Sequence, residues 1–113
     1  MRRILRAEVW IVGLDPVVGH EQGGERPALV ISTEAFNASG GDDVFIVPIT
    51  SKFRALRTRV HIAPPEGGLE LDSYVLCDKL RSLSQRRLKN RIGCVSEKTM
   101  AQVEDIVGKI LDL

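Results

Sequence analysis

Residues Glu8 to Ser32 constrain this chain more than any other stretch. They read EVWIVGLDP, VVGHEQGGE and RPALVIS, two apolar runs separated by a polar, glycine-punctuated connection. Val9, Trp10, Ile11, Val12 and Leu14 fill the first run, and Ala28, Leu29, Val30 and Ile31 the second. Gly19, Gly23 and Gly24 tolerate the positive φ that a tight connection demands, so the stretch predicts strand, long loop, strand. A third run, Val44 to Thr50 (VFIVPIT), is rich in β-branched residues up to Pro48 and ends on two hydroxyls, Thr50 and Ser51, followed by Lys52. Arg26 stands where the polar loop turns into strand, and Pro27 after it stiffens that entry and cannot donate to a ladder. On its own, Arg26 reads first as a surface arginine paired with Glu21 or Glu25.

The remaining elements follow from shorter signals. Thr33 can cap one helical turn through Phe36 before Ser39, Gly40 and Gly41 end it. Ser51 to Thr58 is a polar, basic loop, and Val60 to Ala63 a short strand closed by the turn Pro64-Pro65-Glu66-Gly67-Gly68. Ser73 to Leu83 reads as one long bent strand or two consecutive ones, Ser84 to Leu88 as a helical turn, and Arg91 to Val95 as a last strand. Ser96 is an N-cap for a terminal helix in which Met100, Val103, Ile106, Val107, Ile110 and Leu111 recur at helical spacing, an apolar stripe expected to be core. Five or more short strands and one terminal helix predict a small, mostly antiparallel β-barrel.

A chain of 113 residues makes one domain, residues 1–113, and buries roughly two-thirds of its unfolded surface, so its core requires no disulfide or metal. No apolar run nears the roughly 20 residues of a membrane span, and Met1 to Arg6 is not followed by a signal-peptide pattern, which predicts a cytoplasmic protein with no membrane partner. Cys77 and Cys94 form no CxxC pair and sit in apolar runs, as buried reduced thiols do. The net charge of +1 is unremarkable, but its distribution is uneven. Val44 to Pro65 contains Lys52, Arg54, Arg57 and Arg59, and Lys79 to Ser96 contains Lys79, Arg81, Arg86, Arg87, Lys89 and Arg91, both without a single acid. If both face one surface they form a phosphate-tracking patch; solvated charge runs are the equal alternative.

His20 and His61 lie far apart, and neither has a second ligand at metal-binding spacing beyond Glu21, so no metal and no cofactor is expected. Ser-His-Asp, GxxxxGK and GxGxxG arrangements are missing too.

Taken together, EVWIVGLDP, GHEQGGERPALVIS, the PIT that ends the third run and VLCDKLRSLSQRRLKNRIGCV resemble the MazF/PemK/Kid family of bacterial toxin endoribonucleases over nearly the whole chain. The resemblance implies an SH3-like barrel with a C-terminal helix, a two-fold homodimer, single-stranded mRNA as substrate and a cognate antitoxin protein as partner. It assigns catalysis to the Arg of the RP pair and the Thr closing the third strand, which match Arg26 and Thr50. Other family proposals use the His of GHEQ and the Asp of the later CD pair as acid and base, which match His20 and Asp78, with Glu21 as a further acid. Where the family usually has Gln after that Asp, this chain has Lys79. Gln22, Ser51, Lys52, Phe53, Arg54, Arg57, Lys79, Arg81, Arg86 and Arg87 are the implied RNA contacts, Phe53 either stacking on a base or tucked against the barrel. A gyrase-binding toxin of the CcdB type and a non-catalytic RNA-binding barrel remain the alternatives of other classes.

Overall fold

The structure, a computed structural model, describes residues 2–14 and 24–113. Its strands are β1 (Glu8–Gly13), β2 (Glu25–Val30), β3 (Asp43–Thr50), β4 (Arg59–Ile62), β5 (Ser73–Leu76), β6 (Arg81–Ser84) and β7 (Leu88–Cys94), with helices α1 (Glu34–Asn37) and α2 (Glu97–Leu111). Among the described residues the pairings are antiparallel and run β4-β5-β3-β2-β1-β7, with β6 also on β3. The result is the expected mostly β, barrel-like sheet with a terminal helix.

The central strands are apolar without interruption because both faces of the sheet are buried. Val9, Leu29, Val47, Ile49, Val60 and Val75 pack on one side with Val95, Met100 and Val103 from the α2 region. Trp10, Val12, Ala28, Val30, Val44 and Ile46 pack on the other with Ile4, Leu83 and Leu88. Alternate residues of one strand thus enter different cores. The stripe of α2 is core except at its end: Met100 and Val103 are buried and Ile106 and Val107 pack half-buried on the same core, whereas Ile110 and Leu111, expected inside, are exposed.

β3 changes partner along its length. Asp43 to Ile46 pair with Ser84 to Arg81 of β6, and Ile49 and Thr50 with Val75 and Tyr74 of β5. Val47 and Pro48 stand in the break between those two ladders, a fitting place for a residue without an N–H. The stretch from Ser73 to Leu83 is therefore two strands, split by a 3₁₀ turn over Cys77–Lys79. Cys77 is buried there and its thiol is pushed up to about 11 by burial and by the charge of Asp78. Cys94, expected in a buried run, is exposed at the end of β7.

Ser96 caps α2 as expected, accepting from Thr99 N at 3.1 Å. Glu66 braces the same cap from the loop before β5: its Oε2 accepts from Ser96 N at 3.0 Å and from Thr99 Oγ1 at 2.6 Å. Burial raises the Glu66 pKa, but these hydrogen bonds together outweigh it and hold the carboxyl below its ordinary value. A depressed carboxyl stabilises the fold above its unfolded pKa, about 4.3, and that contribution disappears as pH falls through the folded value. Glu66→Gln is accordingly expected to cost about 1–2 kcal/mol at neutral pH, with the gap to the parent protein closing below about pH 4. Thermal unfolding of both proteins across that range measures it; a gap that persists at low pH would contradict the assignment.

Candidate active site

Three pairs define the β2–β3 ladder: Ala28 with Pro48, Leu29 with Val47, and Val30 with Ile46. The paired register ends at Ala28 and Pro48, two residues short of Arg26 and Thr50, which by alternation lie on the same sheet face as that last pair. On its other side Arg26 is paired with Val12 of β1. The ends of β2 and β3 open onto a cleft of about 360 Å³, which Arg26, Thr50 and Ser51 line.

Its apolar wall comes from Ile11, Pro27, Ile49 and Leu69, and its far rim from Gly68, Glu70 and Ser73. Thr50 is only 8% exposed, whereas Arg26 is exposed. Lys52 N donates to Thr50 Oγ1 at 3.2 Å, which occupies the hydroxyl as an acceptor and leaves its proton to be donated elsewhere.

The far rim reaches the cleft through a close backbone approach. Gly68 has φ +72, and a Cβ there would lie 1.9 Å from the carbonyl oxygen of Ile92 in β7; a Cβ on Gly93 would lie 2.5 Å from the Gly67 carbonyl carbon. Only glycine fits at either place. Ser73 Oγ donates to Leu71 O at 2.8 Å and shapes the following loop. Glu70 and Ser73 were not singled out from the sequence. The Gly67-Gly68 pair was the available signal, read only as the end of a turn.

The other expected site residues scatter more widely. His20, Glu21 and Gln22 lie outside the described residues; the chain on either side of them is joined by Leu14 N donating to Gly24 O at 2.9 Å, beside Arg26. Lys52, Phe53, Arg54 and Arg57 are exposed on the loop that follows Thr50. Asp78 and Lys79 are exposed on the turn between β5 and β6 and do not line the cleft. Arg81 is half-buried opposite Ile46. Arg86 Nε lies 3.6 Å from Asp42 Oδ2, and Arg87 Nη1 donates to Gly13 O at 3.2 Å, so both have structural partners. Arg91 faces Glu8 at 3.6 Å. The basic stretch from Lys79 to Ser96 is thus spent partly on holding strands, while Lys52, Arg54 and Arg57 after Thr50 face solvent. No three His, Cys, Asp or Glu side chains are grouped to hold a metal ion among the described residues.

This sheet, with its one terminal helix, has the fold of solved bacterial toxins. The family model for PemK-like, MazF-like toxins of type II toxin-antitoxin systems matches residues 5–111, and the chain belongs to that family. It is 34% identical to endoribonuclease MazF9 of Mycobacterium tuberculosis, with 96% of each chain covered. It is 32% identical to endoribonuclease MazF of Staphylococcus saprophyticus, over 96% of this chain and 91% of that one. The crystal structure of MazF from Deinococcus radiodurans superposes with a TM-score of 0.88 at 29% identity over the whole of both chains. A mycobacterial endoribonuclease in complex with its cognate antitoxin superposes with a TM-score of 0.78 at 26% identity, covering 100% of this chain and 97% of that one.

Proposed function

We infer that this chain is the toxin of a toxin-antitoxin pair and an endoribonuclease that cuts single-stranded mRNA at a preferred sequence without a metal ion. It leaves a 2′,3′-cyclic phosphate and a 5′-hydroxyl, and Arg26 and Thr50 are its catalytic residues. The observation that carries this reading is the lining of one cleft by both residues, with relatives named endoribonucleases giving the class of reaction.

RNA brings its own nucleophile, a 2′-hydroxyl beside each phosphate. The 2′-oxygen bonds to phosphorus, the bond from phosphorus to the 5′-oxygen breaks, a base takes the 2′ proton, and an acid returns one to the 5′-oxygen. The protein must hold these atoms in line and stabilise the extra negative charge on the phosphorane. Arg26 suits the second task, because a planar guanidinium spans two phosphate oxygens. It is a poor base, because taking a proton from a guanidinium is costly. Thr50 donates its hydroxyl proton to the phosphate and keeps it oriented. For the proton transfers, Glu70 is the carboxylate lining the cleft among the described residues, and it joins His20, Glu21 and Asp78 as a candidate.

The antitoxin partner carries a disordered acidic and apolar tail that folds across the basic surface and covers Arg26, so inhibition is coupled folding and binding. The active form is a homodimer. Leu56, Ile110, Leu111 and Leu113 are exposed apolar side chains that pairing would cover, and β4 and β7 end the chain of paired strands. No helix of the described residues is long and apolar enough to cross a membrane.

Purified protein incubated with a long RNA in excess EDTA, followed by sequencing of the new ends, tests the reading. The expected result is cleavage at a recurring short sequence with 5′-hydroxyl ends, by a protein that sediments as a dimer at micromolar concentration. Cleavage that returns only with a divalent ion would overturn the metal-free mechanism, and a strictly monomeric active species the dimer.

A further inference from the structure

The sheet face that carries Arg26 and Thr50 continues beyond them. Along β3 that face holds Val44 and Ile46, which are buried with Ala28 and Val30, and by alternation it reaches Thr50 at the strand end. Thr50 is opposite Tyr74 of β5, and Tyr74 is opposite His61 of β4, so Thr50, Tyr74 and His61 follow one another across three strands on a single face. At about 4.8 Å per strand, the line from the β2 end at Arg26 to His61 spans roughly 14 Å.

That continuation is aromatic and open. The His61 ring stacks on Tyr74 with centroids 5.3 Å apart and planes 27° from parallel. Phe53, from the loop after Thr50, meets Tyr74 edge-on at 5.5 Å and 66°. His61 Nε2 is 2.8 Å from Asp72 Oδ1, which holds the imidazole in the row. The chain has one tyrosine and three phenylalanines, and Phe53 remains 68% exposed although Tyr74 supports it. A large ring propped outward, beside exposed Lys52, Arg54 and Arg57, has the make-up of a single-strand stacking platform: a cationic track for phosphates and a π-face for a base.

We propose that Phe53, buttressed by Tyr74 and followed by His61, is the stacking platform for a base adjacent to the scissile phosphate, with Tyr74 a positioning residue. This rests on the ribonuclease reading above. Stacking accepts any base, so the row fixes where the strand lies and leaves sequence choice to other contacts.

The test uses RNA oligomers that span the mapped cut site, made uncleavable by a 2′-deoxy residue before the scissile phosphate, each lacking one base in turn. Their binding is titrated by fluorescence anisotropy. One abasic position is expected to weaken wild-type binding about tenfold. Phe53→Leu should weaken the intact oligomer by a similar factor and be indifferent to the loss of that same base, while still responding to losses elsewhere. Tyr74→Leu should behave as Phe53→Leu, and Tyr74→Phe, which keeps the ring contact, as wild type. Phe53 is exposed, so Phe53→Leu keeps the test independent of any folding defect in Tyr74→Leu. Phe53→Leu binding the intact oligomer as tightly as wild type, or losses that add at every position, would overturn the platform while leaving the nuclease intact. Failure of the wild-type protein to cut RNA would overturn the nuclease reading itself.

Discussion

An RNA oligomer with one 2′-deoxy residue immediately 5′ of the scissile phosphate is expected to bind this protein about as well as its all-ribose parent and to remain uncut. The change removes one hydroxyl and leaves the phosphate charge, the bases and nearly all contacts in place, so it separates chemistry from affinity. The expectation follows from what the cleft offers. Thr50 lines the cleft, and its Oγ1 already accepts from Lys52 N. The Cys77 thiol is buried and pushed up to about 11, too high for a thiolate at neutral pH. Neither is an activated nucleophile, so the attacking group is expected to be the substrate's own 2′-hydroxyl. In a competition assay the deoxy oligomer should inhibit cleavage of the parent at a concentration near the parent's own affinity, and single-stranded DNA should bind without being cut. A product cut at the substituted position, or one with a 5′-phosphate, would mean that water attacks and that the roles given to Arg26 and Thr50 are wrong.

Arg26→Ala and Thr50→Ala are each expected to slow cleavage at saturating RNA by about 100-fold or more, equivalent to about 2.7 kcal/mol of transition-state stabilisation. Because the proposed contacts strengthen as charge builds on the phosphorane, the loss should appear mainly in kcat. Arg26 is exposed, so its truncation is expected to shift the unfolding temperature little. Thr50 is buried and its truncation strands the Lys52 N–H; Thr50→Ser, which keeps the hydroxyl, should therefore recover most of the rate. Unfolding temperatures measured on the same samples separate chemistry from folding. His20→Ala arbitrates between the family's two assignments: a loss as large as that of Arg26→Ala would give the proton transfers to His20 and displace the Arg-Thr pair from the centre.

Strands packed on both faces were legible from the sequence, because two-sided burial writes an unbroken apolar run. Val44 to Thr50 belongs to the observed β3, and the α2 cap was readable from Ser96. The start of β7 was not. Lys89, Asn90 and Arg91 are exposed at the end of the strand order, and a strand that turns polar residues to water carries little hydrophobic pattern. The sequence leaves open whether Ser73 to Leu83 is one bent strand or two, since Leu76, Cys77 and Leu80 keep the run apolar through the turn, and the structure decides for two.

What the sequence by itself determined is the apolar strands, the α2 cap and the terminal helix, and, through resemblance, which two residues to watch. Those are local properties, set by burial pattern and turn chemistry within a few residues. Tertiary structure alone decided that Arg26 and Thr50, far apart in the chain, line one cleft, because strand register is a long-range choice made by the packing of whole faces. It also decided that Arg86 and Arg87 hold Asp42 and the Gly13 carbonyl, and that Glu70 reaches the cleft over Gly68 where it lies on β7. A charge or a glycine in a sequence does not carry the identity of its partner; the fold supplies the partner by bringing distant backbone within a few ångströms.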